Sequence, residues 1–332
     1  MDREQHELQF LGFLGVYRET TKIILKWRTI FAQIMLVLIL PLCVVSLAAF
    51  EVLQLLTFKI DFDLDNAWKY SPRYRDLSRM IKKEWIAFCL YELGYFIFVF
   101  IFSLLSTLAV VYTVACIYAA KQITFKKIMS VVPRVWKRLM VTFFWCFAPF
   151  FVYNVVAVGL LIAWLVTVWQ FAVCPALGIA VAVILLILSI VGFVYIAMIW
   201  LMASVISVLE DAYGRKAMVK SRRLIKGKMG LWVWCFLGVL VWSVLVQAFF
   251  ESLLVLGLPP IGVTIGVGLI CLMLLLMLTL FNLVVQTVIY FVCKSYHHEN
   301  IDSFCLSDHL EGRLGDRPSE GQKAVQLEQL HV

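Results

Sequence analysis

Long apolar stretches, separated by short polar segments, run along most of the chain. Six of them reach or exceed the roughly 20 residues that an α-helix needs to cross a bilayer. They cover residues 30–56, 86–118, 139–168, 172–208, 231–256 and 262–292. The pattern predicts an all-α, polytopic helical membrane bundle of about six transmembrane helices. The 172–208 stretch is longer than one span requires, so it must tilt, extend beyond the membrane or break into two spans.

The composition agrees with a lipid environment. Hydrophobic residues make up 63% of the 332 residues and charged residues 15%, whereas a soluble domain has roughly half and a quarter. The mean hydropathy is +0.94. We expect a cytosolic, amphipathic N-terminal segment (1–29), one six-span membrane domain (30–293) and a polar, cytosolic C-terminal tail (294–332).

The positions of the basic residues predict the orientation. With both termini in the cytosol, 22 of the 29 lysine and arginine residues lie on the cytosolic side, as the positive-inside rule requires. The net charge of +8 therefore indicates membrane topology rather than nucleic-acid binding. The first loop, 57–85, is an exception, because seven basic residues lie there on the opposite side. We expect the protein to lie in the membranes of the endoplasmic reticulum and secretory pathway or in the plasma membrane.

A basic, partly apolar segment precedes the first, third and fifth spans. Aligning Thr21, Ser130 and Ser221 brings basic residues of the three segments into register. Membrane proteins do use internal repeats of this size. The alignment predicts three parallel repeats, each an amphipathic helix followed by two spans.

The segment before the fifth span, residues 212–226, carries the clearest candidate site. Its apolar residues share one helical face, and most of its cations lie elsewhere on the helix. The cations are Arg215, Lys216, Lys220, Arg222, Arg223 and Lys226. They are candidates for binding anionic lipid headgroups, since basic residues beside the cytosolic leaflet are attracted to it. The alternative is that they only set the topology.

Polar side chains inside the spans offer a second candidate site. Glu51, Glu92 and Glu251 lie near span ends on the predicted non-cytosolic side, where they could line a vestibule for a cation or proton. The alternative is that such carboxylates simply reach the hydrated headgroup region. Deeper amides, Asn282 and Gln286 among them, predict hydrogen bonds between helices.

The tail offers only a weak metal candidate, and we expect no cofactor. Cys293 and His297 are four residues apart, as are Cys305 and His309, and thiolates with imidazoles suit zinc. The spacing fits no common zinc motif, and Cys293 is equally a palmitoylation candidate. No phosphate-binding loop, nucleophile elbow or dinucleotide motif occurs, so we expect no enzymatic activity.

Two stretches carry a resemblance to known families. They are VISVLEDAYGRKAMVKSRRLIKGK at 205–228 and VCKSYHHENIDSFCLSDHL at 292–310, which resemble a plant family of multi-pass membrane proteins of unknown function. The first contains a skeleton of Glu210, Gly214, Ala217, Ser221, Leu224 and Gly227, similar to bacterial membrane domains of the YciC or glycerophosphodiesterase-membrane-domain type. The resemblance implies a membrane-domain architecture and brings no catalytic residue with it.

These patterns leave three roles to compare. The first is a non-enzymatic scaffold or lipid-interacting membrane component, whose partners are the bilayer and anionic headgroups. The alternative is a small-solute or ion transporter or channel with a glutamate-lined outer vestibule. A lipid-modifying enzyme ranks third, because the sequence offers no nucleophile or metal set.

Overall fold

The computed structural model describes residues 12–49, 52, 74–119, 124–170, 175–256 and 261–297. Helices joined by short turns make up this part of the chain, and it contains no strand. The helices are α1 (Phe13–Lys26), α2 (Arg28–Ala49), α3 (Tyr74–Tyr118), α4 (Phe125–Gln170), α5 (Pro175–Leu209), α6 (Arg215–Ile225), α7 (Met229–Leu256) and α8 (Ile261–Tyr296). The all-α prediction is confirmed.

Six helical segments of the described chain are long and apolar enough to cross a membrane. They are Arg28–Ala49, Ile86–Tyr118, Val135–Gln170, Ala176–Leu209, Met229–Ser252 and Ile265–Tyr296. The six-span prediction is confirmed, and the chain is a multi-pass membrane protein. The described part of the long 172–208 stretch lies in one unbroken helix, α5. Its 35 residues measure roughly 52 Å at 1.5 Å per residue, so it exceeds the hydrocarbon thickness of about 30 Å.

The described chain forms two compact units. The first contains the described parts of residues 1–27, 107–238 and 282–332. The second contains those of residues 28–106 and 239–281. Helices α3, α7 and α8 therefore contribute one part to each unit.

The most continuously buried part of the first unit is formed by the C-terminal ends of three spans. In α3, α5 and α8 the stretches Leu108–Cys116, Met202–Leu209 and Leu283–Cys293 are buried at every position. A helix buried all round is enclosed by other protein. The N-terminal halves of the same helices expose large apolar side chains such as Ile187 and Ile270, as lipid-facing segments do.

Helices α1 and α6 share a pattern of burial. Val16, Thr20 and Ile23 are buried in α1, and Ala217, Ser221 and Leu224 are buried at the same spacing in α6, where Ile225 is buried as well. A span begins five residues after Ile23, at Arg28, and five residues after Leu224, at Met229. Thr20, rather than Thr21, therefore corresponds to Ser221. Thr21 is exposed and bonds carbonyls of its own helix, so the burial pattern favours a match one residue away from the alignment made from sequence.

The middle segment differs from the other two. Ile128 and Val135, seven residues apart, are both buried, which matches the first and third of the shared buried positions in the other segments. Ser130 is exposed. This segment continues without a break into α4, so it forms no separate helix before the span.

Helices α4 and α5 form an antiparallel hairpin within the first unit. The Tyr153 hydroxyl donates to the Ser189 carbonyl at 3.0 Å, and the Trp164 indole donates to the Gly178 carbonyl at 3.1 Å. Gly192 faces the Tyr153 ring so closely that a Cβ there would lie 2.1 Å from the hydroxyl oxygen. Glycine is therefore what allows the two helices to approach at this level.

Candidate functional site

The turn between α5 and α6 is fixed by contacts with α4. Gly214 has φ +59°, a conformation that glycine adopts without steric cost. Its N–H donates to the Thr142 hydroxyl at 2.8 Å, and a Cβ there would lie 3.2 Å from the Trp145 ring. Asp211 forms an ion pair with Arg138. Three contacts thus hold the chain just before α6 begins.

One face of α6 packs against the protein. Ala217, Ser221, Leu224 and Ile225 are all buried. The Ser221 hydroxyl donates to the carbonyl of Ile199 at 2.8 Å. Ile199 lies ten residues before the end of α5, which is about 15 Å along the helix. Helix α6 therefore contacts the flank of α5, and its packed face is occupied by protein.

A carboxylate at the end of α5 is the centre of a charged cluster. The Glu210 carboxylate lies 2.8 Å from the Lys220 amine and 3.4 Å from the Lys294 amine, and it accepts a 2.7 Å hydrogen bond from the Tyr290 hydroxyl. The Glu210 side chain is 16% exposed. Burial alone would raise its pKa, but the hydrogen bonds from Lys220 and Tyr290 and the two lysine charges outweigh burial and lower the pKa. Glu210 is therefore ionised near neutral pH and links α5, α6 and α8.

The C-terminal end of α6 is held by the end of α8. Gly227 has φ +107°, and a Cβ there would lie 2.5 Å from the Tyr296 ring. His297 Nε2 lies 3.2 Å from the Leu224 carbonyl and 3.0 Å from the Lys226 carbonyl. Carbonyl oxygens only accept, so His297 donates from Nε2 to carbonyls that the helix end would otherwise leave unpaired.

The opposite side of α6 forms an exposed basic face. It consists of Arg215, Lys216, Arg222, Arg223 and Lys226, all of which are exposed. At 3.6 residues per turn these side chains, including that of Lys226 directly after the last helical residue, fall within an arc of roughly 120°. Val219 lies within the same arc and is 55% exposed. Within the described chain, none of the five forms an ion pair, whereas the predicted candidate Lys220 is engaged by Glu210.

All six residues of the skeleton that runs from Glu210 to Gly227 have a structural role here. They provide the central carboxylate, two turns with positive φ and three buried positions of α6. A family model described as "Domain of unknown function (DUF8558)" matches residues 1–330. The chain belongs to this family. No curated protein and no solved structure matches the chain.

The predicted vestibule residues of this DUF8558 protein are not seen in contact with one another. Glu92 in α3 and Glu251 in α7 are each partly buried. Neither forms a hydrogen bond or an ion pair with any residue that the structure describes. Glu51 lies outside the described residues. The vestibule remains a prediction from sequence.

Two of the predicted metal ligands, Cys293 and His297, lie among the described residues, and each has contacts with the protein. Cys293 is fully buried, and His297 Nε2 is directed at the two α6 carbonyls. Cys305 and His309 lie outside the described residues. Among the described residues, no group of three or more histidine, cysteine or acidic side chains could hold a metal ion.

The amides predicted to bond across helices divide into different environments. Gln286 is 1% exposed, and neither its amide oxygen nor its nitrogen has a hydrogen-bond partner among the described residues. Asn282 is only partly buried. The amide of Gln286 is thus an uncompensated polar group in the core of the first unit.

Three residues of the cluster were not identified from sequence: Thr142, Tyr290 and Lys294. Thr142 lies 72 residues from its partner Gly214, and Tyr290 and Lys294 lie 80 and 84 residues from their partner Glu210, so no local pattern relates them. One signal was present, since Tyr290 and Lys294 are four residues apart at the end of a span and share a helical face. A tyrosine and a lysine on one face at that depth indicate a partner with a negative charge.

Proposed function

We propose that this DUF8558 protein is a non-enzymatic membrane component that binds anionic lipid headgroups with the basic face of α6. The supporting observation is the basic face itself, with five exposed cations on one arc of a helix that is anchored at both ends. The proposal includes cytosolic termini, since the basic face would then meet the anionic leaflet.

Two contacts support a location of α6 near the membrane surface. Ser221 bonds a carbonyl well inside α5, so α6 lies alongside a span rather than beyond its tip. Trp145, which packs on Gly214, is 52% exposed, and tryptophan is enriched at the headgroup level. An exposed valine among the cations also suits a surface where headgroups and acyl chains meet.

The expected affinity follows from the number of cations. Each lysine or arginine near an anionic leaflet contributes about 1 kcal/mol. The protein scaffold holds the helix in its folded conformation before any lipid arrives, so ordering the helix costs no binding energy. Removing three of the five cations should therefore weaken retention of an anionic lipid by tenfold or more.

The experiment uses the full-length protein in nanodiscs of phosphatidylcholine with a minor fraction of phosphatidylserine or a phosphoinositide. Lipid that remains bound after detergent extraction is measured by mass spectrometry. The test variant is Arg215→Gln, Arg222→Gln, Lys226→Gln, and the control, matched in charge, is Arg18→Gln, Lys22→Gln, Lys26→Gln in α1. The test variant should lose anionic lipid and the control should lose much less. Equal retention by wild type and the test variant would refute the proposal.

A further inference from the structure

We infer that the acidic C-terminal tail, residues 298–332, docks on the basic face of α6 and competes there with anionic headgroups. The docking stands on the contacts of α6 and on the charge of the tail. The competition rests in addition on the proposed function. The tail would then act as a built-in regulator of the lipid site.

The tail begins directly after a residue that contacts the end of α6. His297 is the last described residue before the tail, and its imidazole bonds the carbonyls of Leu224 and Lys226 at the end of α6. The tail therefore begins directly beside the C-terminal end of the basic face. Lys226, one member of that face, supplies one of the two carbonyls.

The tail is long enough to reach along the basic face. Helix α6 has 11 residues and is about 16 Å long. An extended chain covers roughly 3.3 Å per residue, so Glu299 can reach about 7 Å from His297 and Asp302 about 17 Å. Glu299 can therefore reach the C-terminal end of the basic face, and the acidic residues from Asp302 onward can reach its N-terminal end.

The tail and the basic face carry opposite net charges. Residues 298–332 contain seven acidic and three basic residues, which gives a net charge of −4 with neutral histidines. The basic face carries five positive charges, and none of them is paired within the described chain. A tethered partner acts at an effective concentration in the millimolar range. Opposite charges at that concentration favour association, and the association should weaken at high salt.

The docking is tested by zero-length crosslinking of the full-length protein in phosphatidylcholine nanodiscs. A carbodiimide joins lysine amines to carboxylates that are in contact, and mass spectrometry identifies the linked pairs. We expect links from Lys216 or Lys226 to tail carboxylates, and at least a threefold loss of these links in 1 M salt, where the screening length is about 3 Å. The exposed Lys22–Glu19 pair, 3.8 Å apart, is the internal positive control. Formation of the control link without any link from tail to basic face would overturn the docking.

The competition is tested by repeating the reaction in nanodiscs that contain phosphatidylserine. The yield of links from tail to basic face should fall at least threefold, and a variant with Glu299→Gln, Asp302→Asn, Asp308→Asn and Glu311→Gln should retain more anionic lipid than wild type. Unchanged link yield and unchanged retention would overturn the competition. If links form but wild type retains no anionic lipid, the lipid proposal fails and the docking stands, so the two failures are distinguishable.

Discussion

Glu210→Gln removes one negative charge from the cluster and keeps the shape of the side chain. Lys220 and Lys294 then remain near each other without the Glu210 carboxylate between them. Breaking a fully buried ion pair by removing one partner costs about 3–5 kcal/mol, whereas an exposed pair contributes about 0–1 kcal/mol. The Glu210, Lys294 and Lys220 side chains are 16%, 19% and 30% exposed, so water screens part of the interaction. We expect a loss of about 2–3 kcal/mol, between these limits.

The loss should appear as faster opening of the end of α8. Cys293 is fully buried and lies next to Lys294, so an alkylating reagent reaches its thiol only when this region opens. A change of 1.4 kcal/mol is a factor of ten in the open population, so alkylation of Cys293 should accelerate roughly 30- to 150-fold. Mass spectrometry at fixed pH measures this rate, and the buried Cys43 in the second unit serves as an internal reference.

The matched control is Glu19→Gln, which removes the same charge from the exposed pair with Lys22. Since that pair contributes less than about 1 kcal/mol, Cys293 should react at nearly the wild-type rate in the control. If Glu210→Gln also left the rate of Cys293 alkylation unchanged, the cluster would not stabilise this end of the bundle, and the reasoning from burial and distance would be refuted.

Three further outcomes are expected, each measured as a thermal midpoint by circular dichroism in detergent. Because the pKa of Glu210 in the folded protein lies below its ordinary value of 4.5, its stabilisation is fully present above pH 4.5 and is lost as the pH falls through the folded pKa. The difference between wild type and Glu210→Gln should therefore shrink as the pH falls below 4.5. A difference that stays constant over the whole acidic range in which wild type remains folded would contradict this. Gly227→Ala should destabilise by about 1–3 kcal/mol because of its positive φ, whereas Gly230→Ala, where a Cβ meets open space, should not. Gly192→Ala should cost about 1–3 kcal/mol by overpacking against Tyr153, and the double variant with Tyr153→Leu should lose less than the sum of the single losses, while simple additivity would argue against the contact.

The spans could be predicted because a helix that crosses lipid must be long and continuously apolar. Each such helix therefore appears as one uninterrupted apolar stretch of the sequence. The merging of the middle repeat segment into α4 was not predicted. At the end of α6, Gly227 adopts positive φ and stops the helix. The middle segment, residues 119–138, contains no glycine and therefore lacks such a stop.

The candidate site was predictable only in part. The basic face follows from helical spacing, since five of the six predicted cations are exposed on one arc. Lys220 is chemically the same as its neighbour Lys216, and only the position of Glu210 distinguishes its role. Contacts with Tyr290 and His297 depend on how distant helices pack, and a single sequence does not encode that packing as a local pattern.

The enclosed ends of α3, α5 and α8 have a consequence for biosynthesis. Their buried stretches, Leu108–Cys116, Met202–Leu209 and Leu283–Cys293, are far apart in sequence and emerge from the ribosome in that order. The first two can enter the membrane early, but they gain their remaining neighbour only when α8 has been made. We therefore expect nascent chains that stop before α8 to retain exposed core surface and to be bound by membrane chaperones or degraded by quality-control proteases.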